Sequence, residues 1–495
     1  MFRLKKSNGK SSQYKKDDAL TKTIAKYGAS NLVYQILGVG NALLKPKLLK
    51  PELLGLWSLL SLIPRFAPYI HLGSRTAMRY QLPRSLAKGD QVACSKLMGA
   101  TYFGTLALNS LSATVLILYA FTVPMEETLR WGICTMAGLI ILFWFYEYQI
   151  SVLKSFQKFN LLSRINYLRG GILSILNIIL ITTLGIYGLY IALFSSYLLI
   201  ILYLRSQYTP PAPAGYNHKV FLDLIRQGFP IMIYNLGGLL INSSDKIIIS
   251  TLLGLKQLGY YGIASITLNF LMQVPGASRE VVESKLIEYM EENKEDAAKL
   301  YILRPLTVTA YLIPFFIGSG FFLLPDAVTF FFPNYLPGVK AAQFILFGGF
   351  PLSLSYVLRG GIVACNIQAA ASFTMIISAI FNFLFSYLLV QKGWGINGVA
   401  LSSVLSFFLL FLLQQTLLAK KFQFWNSKKI LPLLMLPFIF MTIFCFGAKK
   451  VFSFLDILPI YKDIGAILIY CFLMRFIYNI AACRTGAFQP LSFTK

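Results

Sequence analysis

The sequence predicts an all-α polytopic membrane protein of about fourteen transmembrane helices. These form two six-helix lobes related by a pseudo-two-fold repeat, followed by two C-terminal helices. Three observations carry the prediction. Hydrophobic residues make up 56% of the 495 residues and charged residues only 13%, where a soluble domain is about a quarter charged. Apolar stretches of about the 20 residues needed to cross hydrocarbon recur along the chain. Landmarks of the first half recur, in order, in the second. With mean hydropathy of +0.65, the chain has too few charges to clothe several water-soluble cores. Six cysteines in 495 residues exclude a disulfide-stapled scaffold.

Residues 1–26 are polar and basic, with no apolar core ahead of a cleavage site, so no cleavable signal is expected. Apolar stretches follow near 27–45, 52–74, 97–122, 130–152, 162–184 and 187–204, and then near 228–254, 259–278, 305–324, 341–365, 370–391 and 395–418. Two more lie near 430–447 and 464–482. Turn chemistry separates them, as at Val123-Pro124 and Gly393-Trp394-Gly395, and Pro210–Gly215 is the clearest linker. Residues 279–304, rich in acids, read as helix continuing beyond the eighth span, and 325–339 reads as a short loop. The organisation expected is a basic N-terminus at 1–26, an N-lobe at 27–205 and a linker at 206–227. A C-lobe at 228–422 and two additional helices with a tail at 423–495 complete it. Lys and Arg favour the side of the N-terminus, even-numbered loops and C-terminus by about three to one, which predicts both termini in the cytoplasm. The formal charge of +26 belongs to those loops and to anionic headgroups, not to nucleic acid.

The repeat is read from ordered matches. Gly28, Tyr34 and Gly38 recur as Gly228, Tyr234 and Gly238. Leu54-Gly55 recurs as Leu258-Gly259, Ser74-Arg75 as Ser278-Arg279, Asn177 as Asn382, and Gly185–Gly188 as Gly395–Gly398. The offset grows slowly from 200 to 210, as loop insertions would make it. Six spans per half give both halves the same orientation, so the axis relating them runs along the membrane normal.

The run Gly228-Phe229-Pro230, Ser244-Asp245-Lys246-Ile247-Ile248-Ile249-Ser250 and Leu258–Ala264, with Gly395–Leu401 further on, resembles Wzx-type flippases. These are polysaccharide-export proteins of the multidrug/oligosaccharidyl-lipid/polysaccharide superfamily. The resemblance implies a two-lobed bundle of twelve core helices plus two in a bacterial inner membrane, opening alternately to each side. It implies no cofactor and no enzymatic activity. Its partners would be membrane lipids, the cargo and a polysaccharide polymerase. The cargo implied is an undecaprenyl-diphosphate-linked oligosaccharide, moved to the periplasmic leaflet for O-antigen or another surface polysaccharide.

Such a cargo brings phosphate charge into hydrocarbon, which the protein must meet with cations in a wet cavity. The intramembrane cations of the core helices are Arg65, Arg169, Lys246 and Arg359, and these are the expected diphosphate partners. Arginine suits phosphate because its planar fork donates two parallel hydrogen bonds. The competing reading is that Arg169 and Arg359 snorkel to a helix end and that Asp245 with Lys246 is a self-compensated pair. Asp245, Glu147 and His71 are the candidates for ion coupling. Tyr146, Tyr148 and Tyr167 offer sugar stacking, against the commoner interfacial or packing role. The tripeptides Arg169-Gly170-Gly171 and Arg359-Gly360-Gly361 lie 190 apart, out of register with the repeat, and read as unrelated.

Three other functions compete. A drug or metabolite antiporter of the superfamily typically carries an acid in its first helix, and 27–45 has neither Asp nor Glu. A lipid II flippase resembles the chain in helix number, without an arginine-rich first helix here. A membrane glycosyltransferase, polymerase or ligase needs a catalytic acid or metal site, and 325–339 offers Asp326 alone. No CxxC or Cys/His cluster points to a metal, and Gly9-Lys10-Ser11 lacks the first glycine of a P-loop.

Overall fold

The computed structural model describes residues 9–273, 275, 286, 289, 295–421, 427–452 and 465–475. Among the described residues every regular element is helical. The helices are α1 (Gly9–Leu48), α2 (Pro51–Leu60), α3 (Leu62–Phe66), α4 (Ser74–Ala87), α5 (Gln91–Thr122), α6 (Glu127–Ser155), α7 (Phe159–Leu184) and α8 (Ile186–Gln207). There follow α9 (His218–Ile241), α10 (Ser244–Leu252), α11 (Leu255–Leu271), α12 (Glu295–Phe331), α13 (Val339–Ala364), α14 (Gln368–Gln391), α15 (Gly395–Lys421) and α16 (Ser427–Phe452). The short helix α17 (Gly465–Arg475) closes the series.

Ten of these are long and apolar enough to cross a membrane, and the pair Pro51–Tyr69 with Ser74–Ala87, bent by 43° at its break, brings the number to eleven. The chain is a multi-pass membrane protein. The fourteen expected spans are not all met, for reasons visible in the residues. The first stretch lies within α1 but carries Ser30, Asn31, Gln35 and Asn41. The eighth gives the 17-residue α11. The helix expected from 279 and the end of the fourteenth span lie largely outside the described residues, as do Ser278 and Arg279.

The turn chemistry read from the sequence acts where expected: α5 ends at Thr122 before Val123-Pro124, and Gly393-Trp394 separates α14 from α15. The prolines behave differently. Helices α9, α12 and α13 run through Pro230, Pro314 and Pro351, as kinked membrane helices do when neighbours satisfy the freed carbonyls. The loop expected at 325–339 is mostly helical too: α12 continues to Phe331 and a 3-10 turn spans Pro333–Gly338. Breaks occur instead at polar residues. The seventh span parts at Asn242-Ser243, where the Asn242 amide turns back to the Gly238 carbonyl at 2.7 Å, competing with the helix ladder.

The chain forms two compact units. The first comprises Met1–Leu44 with Ile63–Met232, and the second Lys45–Leu62 with Ile233–Lys495. In the first, Met78, Leu82, Cys94, Met98, Tyr148 and Val152 form a buried cluster across α4, α5 and α6. Ser95 holds the proline-rich linker against α5, bonding the Ala212 carbonyl at 3.0 Å and accepting the Ala214 N–H at 3.1 Å. Gly73, at φ 93°, sits in the break of the bent span. A Cβ on it would lie 2.4 Å from the Gly228 carbonyl carbon. Gly73→Ala is therefore expected to cost about 2 kcal/mol or more through left-handed strain and overpacking. Gly171→Ala, with nothing within 4 Å, is expected to be neutral or stabilising. Thermal unfolding of the two purified variants checks the contrast.

The second unit shows the repeat directly. A Cβ on Gly55 of α2 would lie 1.8 Å from the Leu255 carbonyl oxygen, and one on Gly259 of α11 would lie 1.8 Å from that of Pro51. Pro51 maps to Leu255 and Gly55 to Gly259 at the same offset of 204, so this is one contact seen from its two symmetry-related sides. It explains why Lys45–Leu62 packs with the second unit rather than with the helices next to it in sequence. The repeated asparagines act alike as well. Asn177 of α7 bonds Asn41 of α1 at 3.2 Å, and Asn382 of α14 bonds Ser244 of α10 at 2.8 Å. Each ties the fifth helix of its half to the first.

Candidate functional site

In the first unit, Arg169 of α7 is half-buried among three tyrosines from three other helices. Its guanidinium carbon lies 4.5 Å from the ring centre of Tyr34 (α1), 5.3 Å from that of Tyr146 (α6) and 5.5 Å from that of Tyr197 (α8). Nη1 donates to the Tyr146 hydroxyl at 2.9 Å and Nη2 to that of Tyr34. Polar rungs at helical spacing align α7 with α1 on either side. The Asn166 amide donates to Asn31 at 2.6 Å, and Asn41 donates to Ser174 at 2.9 Å. Asn31 and Asn41, among the residues that made the first span unusually polar, are therefore those that fix the tyrosine and the arginine opposite each other.

Beside this group, Glu147 of α6 pairs with Arg75 of α4 at 3.6 Å. His71 lies just before, buried, its Nδ1 accepting the Gly73 N–H at 2.8 Å while its carbonyl accepts Ser74 Oγ at 2.7 Å. The imidazole thus braces the turn that leads into α4. Arg75, read from the sequence only as a repeat match of Arg279, takes the role of partner to Glu147. Arg75→Ala and Glu147→Ala should couple: the double variant is expected to recover about 1 kcal/mol of the summed thermal destabilisation of the singles. Arg65 lies in the exposed part of α3, between Pro64 and Pro68, and is not among the contacts of Arg169.

In the second unit, Arg359 of α13 is held in a similar way. Its guanidinium carbon lies 5.0 Å from the ring centre of Tyr234, and Nη2 donates to the Asn235 side-chain oxygen; both partners are on α9. Lys246 and Asp245 open α10 and are 6% and 9% exposed. Asp245 accepts the backbone N–H of Lys246 at 2.8 Å, which suits a carboxylate in a helix's first turn. The Tyr261 hydroxyl lies near Asp245 and Ser403. A buried polar set surrounds them: Ser402 donates to Asn382 Oδ1 at 3.0 Å, and Ser406 to the Ser378 carbonyl at 2.6 Å.

Sequence reasoning named both arginines but only one of the groups that hold them, Tyr146, and that for sugar stacking. Tyr34 and Tyr234 were legible only as repeat landmarks. Tyr197 and Asn235 carried no signal apart from being polar within apolar spans. The two arginines are out of repeat register because they stand on the fifth helix of one half and the fourth of the other, yet each meets the tyrosine at the same repeat position. Every partner of Arg169 and Arg359 among the described residues is neutral. A cation held without a counter-ion in a membrane-spanning helix is costly, and it characterises ligand or ion pathways.

Residues 98–334 match the family model described as polysaccharide biosynthesis protein. An uncharacterised membrane protein of Methanocaldococcus jannaschii is 29% identical over 230 residues, so the chain spans 44% of that relative's length. Among solved structures, an inward-facing multidrug-resistance MATE-family transporter of the MOP superfamily is 13% identical with TM-score 0.66, over 81% of this chain and 95% of that one. Lipid II flippase MurJ in an inward closed conformation is 14% identical with TM-score 0.65, over 91% and 99%. The chain shares the fold of these two structures. The resemblance read from the sequence is met in part: the fold is that of membrane transporters and flippases, and a polysaccharide biosynthesis model matches just under half of the chain.

Proposed function

We propose that the chain is a flippase, not an enzyme. It moves an undecaprenyl-diphosphate-linked oligosaccharide from the cytoplasmic to the outer leaflet of a bacterial inner membrane by alternating access. One observation carries the reading: each unit holds an intramembrane arginine whose partners among the described residues are tyrosine and amide groups rather than carboxylates. The guanidinium keeps its charge and most of its donors for an anion. An isoprenoid diphosphate needs this to leave the interface, since unpaired charge in hydrocarbon costs several kcal/mol or more.

Arg65 and Lys246 complete the proposed cation set, Arg65 from an exposed position and Lys246 from a buried one. For ion coupling Asp245 is the first candidate, since it sits among buried hydroxyls and amides, while Glu147 is paired with Arg75 and His71 braces a turn. Both termini are proposed to be cytoplasmic from the loop charges, and the translocated lipid would pass to a polymerase assembling O-antigen or another surface polysaccharide. The match to a polysaccharide biosynthesis model supports this cargo. The structural likeness to MurJ keeps lipid II as the second reading, because it presents the same diphosphate. A drug antiporter fits less well, because α1 presents Tyr34 to Arg169 and carries no acid within 27–45.

The reading is tested in proteoliposomes holding a fluorescent undecaprenyl-diphosphate trisaccharide, followed by dithionite quenching of the outer leaflet. Protein-dependent movement of that lipid is expected. Movement of fluorescent lipid II alone would shift the assignment to the second reading, and movement of neither would end both.

A further inference from the structure

We infer that Tyr34 and Tyr234 are the positioning residues of the two phosphate-binding arginines, a conclusion that rests on the diphosphate reading above. The two tyrosines stand 200 residues apart, at the same place in the first helix of each repeat. Each lies under a guanidinium, at 4.5 Å for Arg169 and 5.0 Å for Arg359. The arginines come from non-equivalent helices and do not obey the repeat. What the two halves share is therefore the aromatic platform, to which each half brings a cation by its own route.

The chemistry explains why the platform is a tyrosine. A carboxylate at this place would take two donors of the fork and cancel its charge, competing with the cargo's phosphate. A tyrosine ring attracts the cation through its negative face, and its hydroxyl accepts a single hydrogen. Among the described residues Arg169 gives one N–H to Tyr34 and one to Tyr146, two of the five donors of a guanidinium, which leaves about three for a ligand. Among the described residues Arg359 gives one to Asn235 and keeps about four. The tyrosines are themselves held: Tyr234 is 1% exposed, and the Asn31–Asn166 and Asn41–Ser174 rungs fix the backbone on both sides of Tyr34. The arginines thus meet the anion already ordered, which lowers the entropic cost of binding.

The test is the affinity of the full chain in nanodiscs for undecaprenyl diphosphate, with neutral undecaprenol as control. Tyr34→Leu and Tyr234→Leu are each expected to weaken diphosphate binding by about tenfold, the loss of a desolvated cation–π contact, and to leave undecaprenol binding unchanged. Tyr34→Phe, which keeps the ring, is expected to lose about threefold from one hydroxyl bond. It decides the matter if the leucine variant fails to fold. In an Arg169→Ala background Tyr34→Leu should add nothing, since a positioning residue acts through the arginine. Wild-type affinity in the tyrosine variants, or a full further loss on top of Arg169→Ala, would overturn the inference while leaving the diphosphate reading intact. Wild-type affinity in Arg169→Ala and Arg359→Ala would instead remove the diphosphate reading itself.

Discussion

Arg169→Ala is expected to lower the flipping rate of an undecaprenyl-diphosphate oligosaccharide by about 100-fold, and Arg359→Ala by a similar factor. A hydrogen bond to a charged group contributes about 1.5–3 kcal/mol, and a guanidinium fork supplies two, so losing one fork costs enough for two decades. The partners of both arginines among the described residues are neutral, so removal of either strands no buried carboxylate there and the loss falls on transport rather than on folding. Arg169→Lys is expected to recover only part of the rate, because an ammonium offers a point charge without the fork and stacks less well on the tyrosine rings. The check is the initial rate in proteoliposomes at matched protein. Alanine variants within about threefold of wild type, less than a single net hydrogen bond is worth, would contradict it.

The second large effect is structural. Gly55→Ala and Gly259→Ala each put a methyl group 1.8 Å from a backbone carbonyl oxygen, a position that no side-chain rotation relieves. Helices α2 and α11 would have to separate, at a cost expected to exceed the usual 1–3 kcal/mol of overpacking, so about 3 kcal/mol or more. Because the contact is the same from both sides, the two variants should destabilise equally. Thermal unfolding monitored by fluorescence size-exclusion measures this, with Gly171→Ala as the control. Two variants that melt like wild type, or that differ widely from each other, would count against the repeat-related packing.

Much of this architecture was legible in the chain. Composition showed a membrane bundle, and Val123-Pro124, Gly393-Trp394 and Pro210–Gly215 fall between helices, as their turn chemistry indicated. The ordered matches from Gly28 to Gly398 marked a repeat that the Gly55–Gly259 contact makes physical. The misses share one cause. Helical periodicity reports which face of a helix is apolar, but not which helices meet, so it could not show that Tyr34, Tyr146 and Tyr197 converge on Arg169. Nor could it show that Pro51–Leu60 packs with α11. The seventh span breaks at Asn242-Ser243 rather than at Pro230 because a side-chain amide takes a backbone carbonyl there. Hydropathy alone does not register that competition. Arg65 lies exposed on the short α3 between Pro64 and Pro68, which its place within an apolar stretch did not indicate.

The most direct measurement is reagent access at the two arginines in the membrane. With the six native cysteines replaced, Arg169→Cys and Arg359→Cys are treated in intact vesicles with a small anionic methanethiosulfonate, with and without undecaprenyl diphosphate. Labelling at both positions, slowed by the lipid diphosphate and not by undecaprenol, is the expected result. Cysteines at 169 and 359 that stay unlabelled, or that label at a rate undecaprenyl diphosphate does not change, would show that these arginines do not face an anionic cargo.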